Sequence, residues 1–237
     1  LLPPMVPVFL KWWEAGVDPV KLLLEAARDR GREVFYSFRI NVDYPLQGGN
    51  FGWAMPPVEP KHPDLVKANH PDWLIHTWAP HWNFAVDQVR DLKLRILREV
   101  ADKYDFDGIH LDFARNTVLF PPGTQWTHRD LLTDFMRRTR SLLSEVEKDR
   151  DRPLLLAARV PDNLMGCQFD GMDVEGWTRE NLVDIFVLGS RSSEVDLAAF
   201  RRITADTEIR LYPCWTDHHS SDGYFMAPLE VLRGAYA

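Results

Sequence analysis

The chain has 237 residues, 45% hydrophobic and 27% charged, which suits one sizeable globular core. Its formal net charge of −7 is opposite in sign to that of an electrostatic nucleic-acid binder. No apolar run approaches the roughly 18 residues of a membrane span, and Cys167 and Cys214 provide neither a disulfide framework nor metal-ligand spacing.

The chain opens at Leu1 with no initiating Met and no signal-peptide pattern, as expected of a processed chain or a piece of a longer one. Residues 1–16 offer at most one weak strand. Asp18, Pro19 and Gly31 then stand where an N-cap, a first-turn proline and a terminating glycine belong, with Val20, Leu23, Leu24 and Ala27 on one apolar face. Val34 to Asn41 reads as a strand. A loop of about forty residues follows, with little helical pattern. Val89, Leu92, Ile96, Leu97 and Val100 mark a helix, and Gly108 to Phe113 the next strand. A helix through Leu132, Phe135, Met136, Leu143 and Val146 leads to a buried strand at Leu154–Val160. A short helix at Asp173–Asn181 precedes a strand at Val183–Leu188. Val195, Ala199 and Ile203 mark a helix before a last strand at Ile209–Trp215, and Pro228 opens a final helix.

Strands separated by helices of this length imply βαβ units and a parallel sheet. The expected fold is α/β: a parallel (β/α)8 TIM-type barrel, incomplete in this chain with about five clear βα units, forming a single domain over residues 1–237. A doubly wound open sheet is the alternative, but no glycine-rich nucleotide fingerprint follows any strand.

The most informative segment is YDFDGIHLDFAR, Tyr104 to Arg115. Alternation turns Ile109, Leu111 and Phe113 toward the helices and His110 and Asp112 toward the barrel axis. An acid at the C-terminal end of a barrel strand lies on the face that holds such enzymes' active sites. The competing reading is a structural Asp that caps the following loop or pairs with Arg115. This segment resembles the fourth-strand signature of glycoside hydrolases with family-10-like (β/α)8 catalytic domains. DPVKLLLEAARDRGREVFYSFRIN (residues 18–41), HPDWLI (70–75) and GMDVEGWTRENLVDIFV (171–187) resemble other segments of that family in the same order. The resemblance implies that the five strands are the third to seventh of a barrel. The compartment is not readable from the residues; the resemblance favours a secreted or periplasmic setting.

Glycoside hydrolysis normally needs two carboxyl groups. Asp112 resembles the first, as nucleophile or charge stabiliser, with Arg115 and His110 favouring its ionised form. The second stays open among Asp162 beyond the fifth strand of the resemblance, Asp217 beyond the seventh and Asp43 beyond the third. Asp173 and Glu175 are poorer choices, since Asp173 reads as a helix cap. Arg39, Arg115 and Arg159 fall at or just past three consecutive strand ends, with Asn41 on the face of Arg39. Guanidinium groups there suit an anionic sugar; equally, they neutralise Asp112, Asp43 and Asp162 in a structural network.

The long loop carries Tyr44, Phe51, Trp53, Trp73 and Trp78, with Trp82 just after it; most read as a satellite core holding the loop down. Trp215, at a strand end, is the better sugar contact. His62, His70, His76 and His81 match no metal-ligand pattern, so neither metal nor cofactor is expected. The leading function is a hydrolase of glycosidic bonds in a poly- or oligosaccharide, with an anionic sugar favoured by the arginines. The alternative is a non-catalytic glycan-binding barrel. Schiff-base barrel chemistry is disfavoured because no lysine lies on an expected strand. Expected partners are a carbohydrate and another chain or domain that completes the barrel; neither a nucleic acid nor a membrane span is expected.

Overall fold

The computed structural model describes residues 11–12, 14–41, 67–77, 79–189, 194–214, 230 and 233–234. Asp43, Asp217, Trp215, most of the helix expected from Pro228, and the loop aromatics Tyr44, Phe51, Trp53 and Trp78 lie outside them. Helix α1 (Pro19–Arg28) starts as its sequence dictates: the Asp18 carboxylate accepts from the Val20 N–H at 3.0 Å, and Pro19 occupies the first turn. Then follow strand β1 (Phe35–Arg39), a short antiparallel pair β2 (Leu74–His76) and β3 (Pro80–Trp82), and helix α2 (Asp87–Lys103). Strand β4 (Gly108–Asp112) leads to helix α3 (Arg129–Arg150) and strand β5 (Leu155–Val160). Helices α4 (Leu164–Phe169) and α5 (Val174–Arg179), strand β6 (Ile185–Leu188), helix α6 (Leu197–Ile203) and strand β7 (Arg210–Pro213) complete the series.

The main sheet has the order β1-β4-β5-β6-β7, every neighbouring pair parallel. It is the expected (β/α) barrel architecture with five strands among the described residues. Ile109, Leu111 and Phe113 are fully buried against the helical layer with Leu97, Leu132, Phe135 and Met136. The opposite face carries Ser37 and Arg39 of β1, His110 and Asp112 of β4, and Ala157 and Arg159 of β5, aligned laterally by the register.

Two features escaped the periodicity. The β2–β3 pair has strands of three residues, too short to show alternation, and α4 is a six-residue helix with Gly166 inside it. Among the described residues no helix is long and apolar enough to cross a membrane.

Acidic side chains lock the N-terminal ends of the strands. Asp107 accepts from the Val34 N–H at 2.7 Å and pairs with Arg152 at 2.8 Å. Asp184 accepts from the Leu156 N–H at 2.7 Å and pairs with Arg140. Each carboxylate thus joins a backbone donor of the neighbouring strand to a guanidinium, which sets the offset between strands. This is the end of a barrel that serves stability rather than chemistry.

Asn41 closes the other end of β1. Its amide donates to the carbonyls of Trp82 at 2.8 Å and Val118 at 2.6 Å, and its oxygen accepts from the Trp82 N–H at 2.9 Å. With both donors used and the residue 1% exposed, it is a clamp. That corrects the expectation that Asn41 meets substrate: its polar atoms are spent on the backbone of two other segments. Asn41→Ala should cost about 2–4 kcal/mol in urea unfolding, since it leaves buried backbone groups of Trp82 and Val118 unpaired.

Candidate active site

The C-terminal rim of β1, β4 and β5 brings together one acid and two arginines. Register places Asp112 between Arg39 and Arg159, so all three share the face opposite the helices. Asp112 is 5% exposed. One carboxylate oxygen accepts from the Arg115 N–H at 2.9 Å, and the other lies 3.5 Å from the Arg159 guanidinium. The first contact caps the loop after β4, and the second supplies the countercharge.

The cation beside Asp112 is therefore Arg159, whose Nε also donates to the Gly189 carbonyl at 3.0 Å. Arg115 contributes its backbone, and its exposed side chain extends from the loop. Arg39 is also exposed, at the strand end where the register puts it.

One layer beneath Asp112, His110 Nδ1 lies 3.0 Å from the Ser37 hydroxyl, while Nε2 is buried with no hydrogen-bond partner. Burial lowers the ring's pKa, and Arg159 pushes it the same way against the pull of Asp112. The imidazole is thus held neutral near pH 7. The sheet face here is concave, around a cavity of about 590 Å³ lined by Phe35, Ser37, His110, Ala157, Val187 and Tyr212. Asp112 does not line that cavity; it lies one layer above His110, which does.

Two of the carboxyls expected as partners are engaged locally. Asp162 follows β5 but accepts from the Asn163 side-chain amide at 3.0 Å, and Asp173 caps α5 by accepting from the Gly176 N–H. Asp170, an ordinary carboxyl by sequence, ends α4 on the same rim. Burial pushes its carboxyl up to about 6, against the opposing effect of a hydrogen bond with Thr117. No spacing rule singles it out, because its burial comes from the loop after β4.

Lys93 was equally hidden. It lies on α2 within 5.5 Å of the Phe38 ring centre and 5.6 Å of that of Trp82, on the helix side of the sheet and away from Asp112. Of the loop aromatics, Trp73 stacks on His70 at 3.7 Å and meets Trp82 at 6.4 Å, as a satellite core would. Among the described residues no group of His, Cys, Asp and Glu is arranged to hold a metal ion.

Comparison with known proteins agrees with this architecture. Residues 9–125 match the family described as Glycosyl hydrolase-like 10. The PgaB (BpsB) glycoside hydrolase domain from Bordetella bronchiseptica is similar with a TM-score of 0.55 and 13% identity, over 86% of this chain and 66% of that one. At that identity the likeness is one of fold. A glycoside hydrolase family 18 N-acetylglucosaminidase from Paenibacillus barengoltzii gives a TM-score of 0.44 at 15% identity, over 73% of this chain and 40% of that one. An alpha-amylase from Geobacillus thermoleovorans gives 0.41 at 19% identity, over 72% of this chain and 35% of that one. The chain thus spans less than two thirds of the length of each of these structures. No curated protein matches the sequence. Over residues 9–125, across the β4 segment that carries Asp112, the chain has the sequence pattern of the glycosyl hydrolase-like 10 family.

Proposed function

We propose that the chain carries the Asp112 part of a hydrolase acting on glycosidic bonds of a poly- or oligosaccharide. The observation that supports this most is the position of Asp112: a buried carboxylate at a barrel strand's C-terminal end, between two arginines in register. A negative charge there suits the nucleophile, or the stabiliser of an oxocarbenium-like transition state. Arg39 and Arg115, exposed on the same rim, support a sugar bearing a carboxylate or sulfate, since guanidinium groups bind such anions through paired hydrogen bonds. Asp43, Asp217 and Trp215 remain assigned to the site on strand-end position alone.

The proton donor must hold its proton near neutral pH. Asp170 keeps its proton up to about pH 6, above the ordinary carboxyl range, and Asp162 is tied to Asn163. If Asp170 is the donor, activity falls as pH rises through about 6, because the acid form is lost there. Asp170→Asn should then reduce kcat/KM by about 10²- to 10⁴-fold and abolish that limb, as measured by pH–rate profiles of both forms. An unchanged profile would return the role to Asp162 or to a carboxyl outside the described residues. A further chain or domain that completes the barrel is part of the same proposal, since β1 and β7 each end the sheet among the described residues.

The function is tested by assaying reducing-end release from neutral, amino, uronic and sulfated oligosaccharides. Turnover of at least one by the wild type, lost in Asp112→Asn, is the expected result. Binding without turnover in either form would establish the glycan-binding barrel instead.

A further inference from the structure

Two buried lysines share one indole ring on the helix side of the sheet. Lys93 of α2 has its ammonium 5.6 Å from the Trp82 ring centre. Lys67, from the single turn Lys67–Asn69, has its own 5.7 Å from the same centre and donates to the Pro80 carbonyl at 2.6 Å. Lys93 also lies 5.5 Å from the ring centre of Phe38 on β1. Its ammonium thus stands where α2, β1 and β3 meet.

Among the described residues, the elements packed against Lys93 face it with two aromatic rings and the Lys67 ammonium. Other charged and titratable neighbours turn elsewhere. Arg90 of α2 pairs with Asp87 and donates to the Phe84 carbonyl. Arg39 lies on the opposite face of β1 from Phe38, and His81 has Nδ1 2.8 Å from the Ala79 carbonyl. A proton on Lys93 is therefore costly while this arrangement is closed, because it is desolvated beside a like charge.

Of the three elements, the β2–β3 hairpin is the least held. Its strands have three residues each and, among the described residues, pair with each other rather than with the main sheet. Its tie to β1 is the Asn41 side chain, which donates to the Trp82 carbonyl and accepts from the Trp82 N–H. By contrast, β1 pairs with β4 at five positions, and α2 buries Val89, Leu92 and Leu97 in the core. Phe84, just past the hairpin, is pinned by its N–H to the Leu119 carbonyl at 2.8 Å. Lifting Trp82 ahead of that pin brings water to Lys93 without unfolding α2 or β1.

We propose that the β2–β3 hairpin is a pH-sensitive strap, closed on α2 while Lys93 is neutral and lifting when Lys93 takes up a proton. Opening parts Trp82 from Asn41, which holds the chain two residues beyond Arg39. Lower pH therefore loosens the end of β1 beside Asp112, whose carbonyl accepts from the Ile40 N–H at 3.2 Å. The strap does not depend on the saccharide reading of the cleft. An opened Lys93 titrates near its ordinary 10.5 and a closed one near 7, so opening takes up a proton between those values. The opening equilibrium should rise about twentyfold from pH 9 to pH 7.5 and level off below pH 7.

Hydrogen exchange read by mass spectrometry at pH 9 and pH 7.5 tests this, with each rate divided by the intrinsic rate at that pH. Both values lie above the range in which an ordinary histidine titrates. In the wild type, protection of β2 and β3 should fall about twentyfold from pH 9 to pH 7.5, while that of β4 and β5 stays constant. In Lys93→Met the hairpin should be equally protected at both pH values. Lys93→Gln, also neutral, should give the same flat result and guards against a packing fault peculiar to Met. The strap is overturned if the wild-type hairpin is equally protected at both pH values. It is also overturned if either folded neutral variant shows the same fall, or if β4 and β5 share it.

Discussion

Asp112→Asn should lower turnover of the best oligosaccharide substrate by on the order of 10³-fold or more, with little change in melting temperature. The amide keeps the shape of the side chain and can still accept the Arg115 N–H, so the loop after β4 stays capped. The charge is lost, and an NH2 takes the place of the oxygen that faces Arg159. A carboxylate about 4 Å from a developing positive centre contributes about 4 kcal/mol at an effective dielectric constant near 20. That energy corresponds to about three decades in rate. Arg159 loses its carboxylate neighbour at 3.5 Å but keeps the Gly189 carbonyl, which limits the cost to the fold. Binding should survive within several-fold, because Arg39, Arg115 and His110 are untouched. The decisive comparison is kcat against Kd in the two forms: a fall in Kd-limited binding equal to the fall in kcat would contradict an electrostatic role for Asp112.

The second large effect concerns stability. Lys93 is buried on α2 against Phe38 and Trp82, and burial, with Lys67 nearby as a like charge, pushes its ammonium down to about 7 from its ordinary 10.5. Two aromatic faces offer some cation–π attraction, which the desolvation cost outweighs. The unfolded chain keeps its proton up to about 10.5, so between 7 and 10.5 it binds more protons than the folded chain, and stability rises with pH across that window. Below pH 7 both states are charged and the folded state bears the full penalty, on the order of 5 kcal/mol. Lys93→Met, which fills similar space without a charge, should therefore stabilise the protein by about that much at pH 6. The gain should shrink by about 3 kcal/mol by pH 9. Urea unfolding of both proteins at the two pH values checks it; a gain independent of pH would mean that Lys93 is not titrating in this window.

Much of the architecture was legible along the chain because it depends on neighbours in sequence. Capping at Asp18, the helical face of α3 and the alternation Ile109–Leu111–Phe113 against His110–Asp112 are properties of residues within one turn or one strand. They assigned the five strands, the parallel sheet and the face on which Asp112 lies. Even the alignment of Arg39 and Arg159 with Asp112 follows from strand ends, once a parallel register is assumed.

What tertiary structure alone decided are the contacts between segments far apart in sequence. Asn41 had the look of a strand-end ligand, yet its amide is consumed by Trp82 and Val118, 41 and 77 residues away. Arg115, three residues from Asp112, had the natural claim to its charge, but the register delivers Arg159 from the next strand and leaves Arg115 its backbone N–H. Lys93 occupies an ordinary helical position, and only the packing of β1 and β3 against α2 encloses it. Asp170 is a carboxyl after a short helix until the loop carrying Thr117 covers it. In each case the local pattern specifies which chemical group is present, while its protonation and availability depend on which distant segment removes water from it.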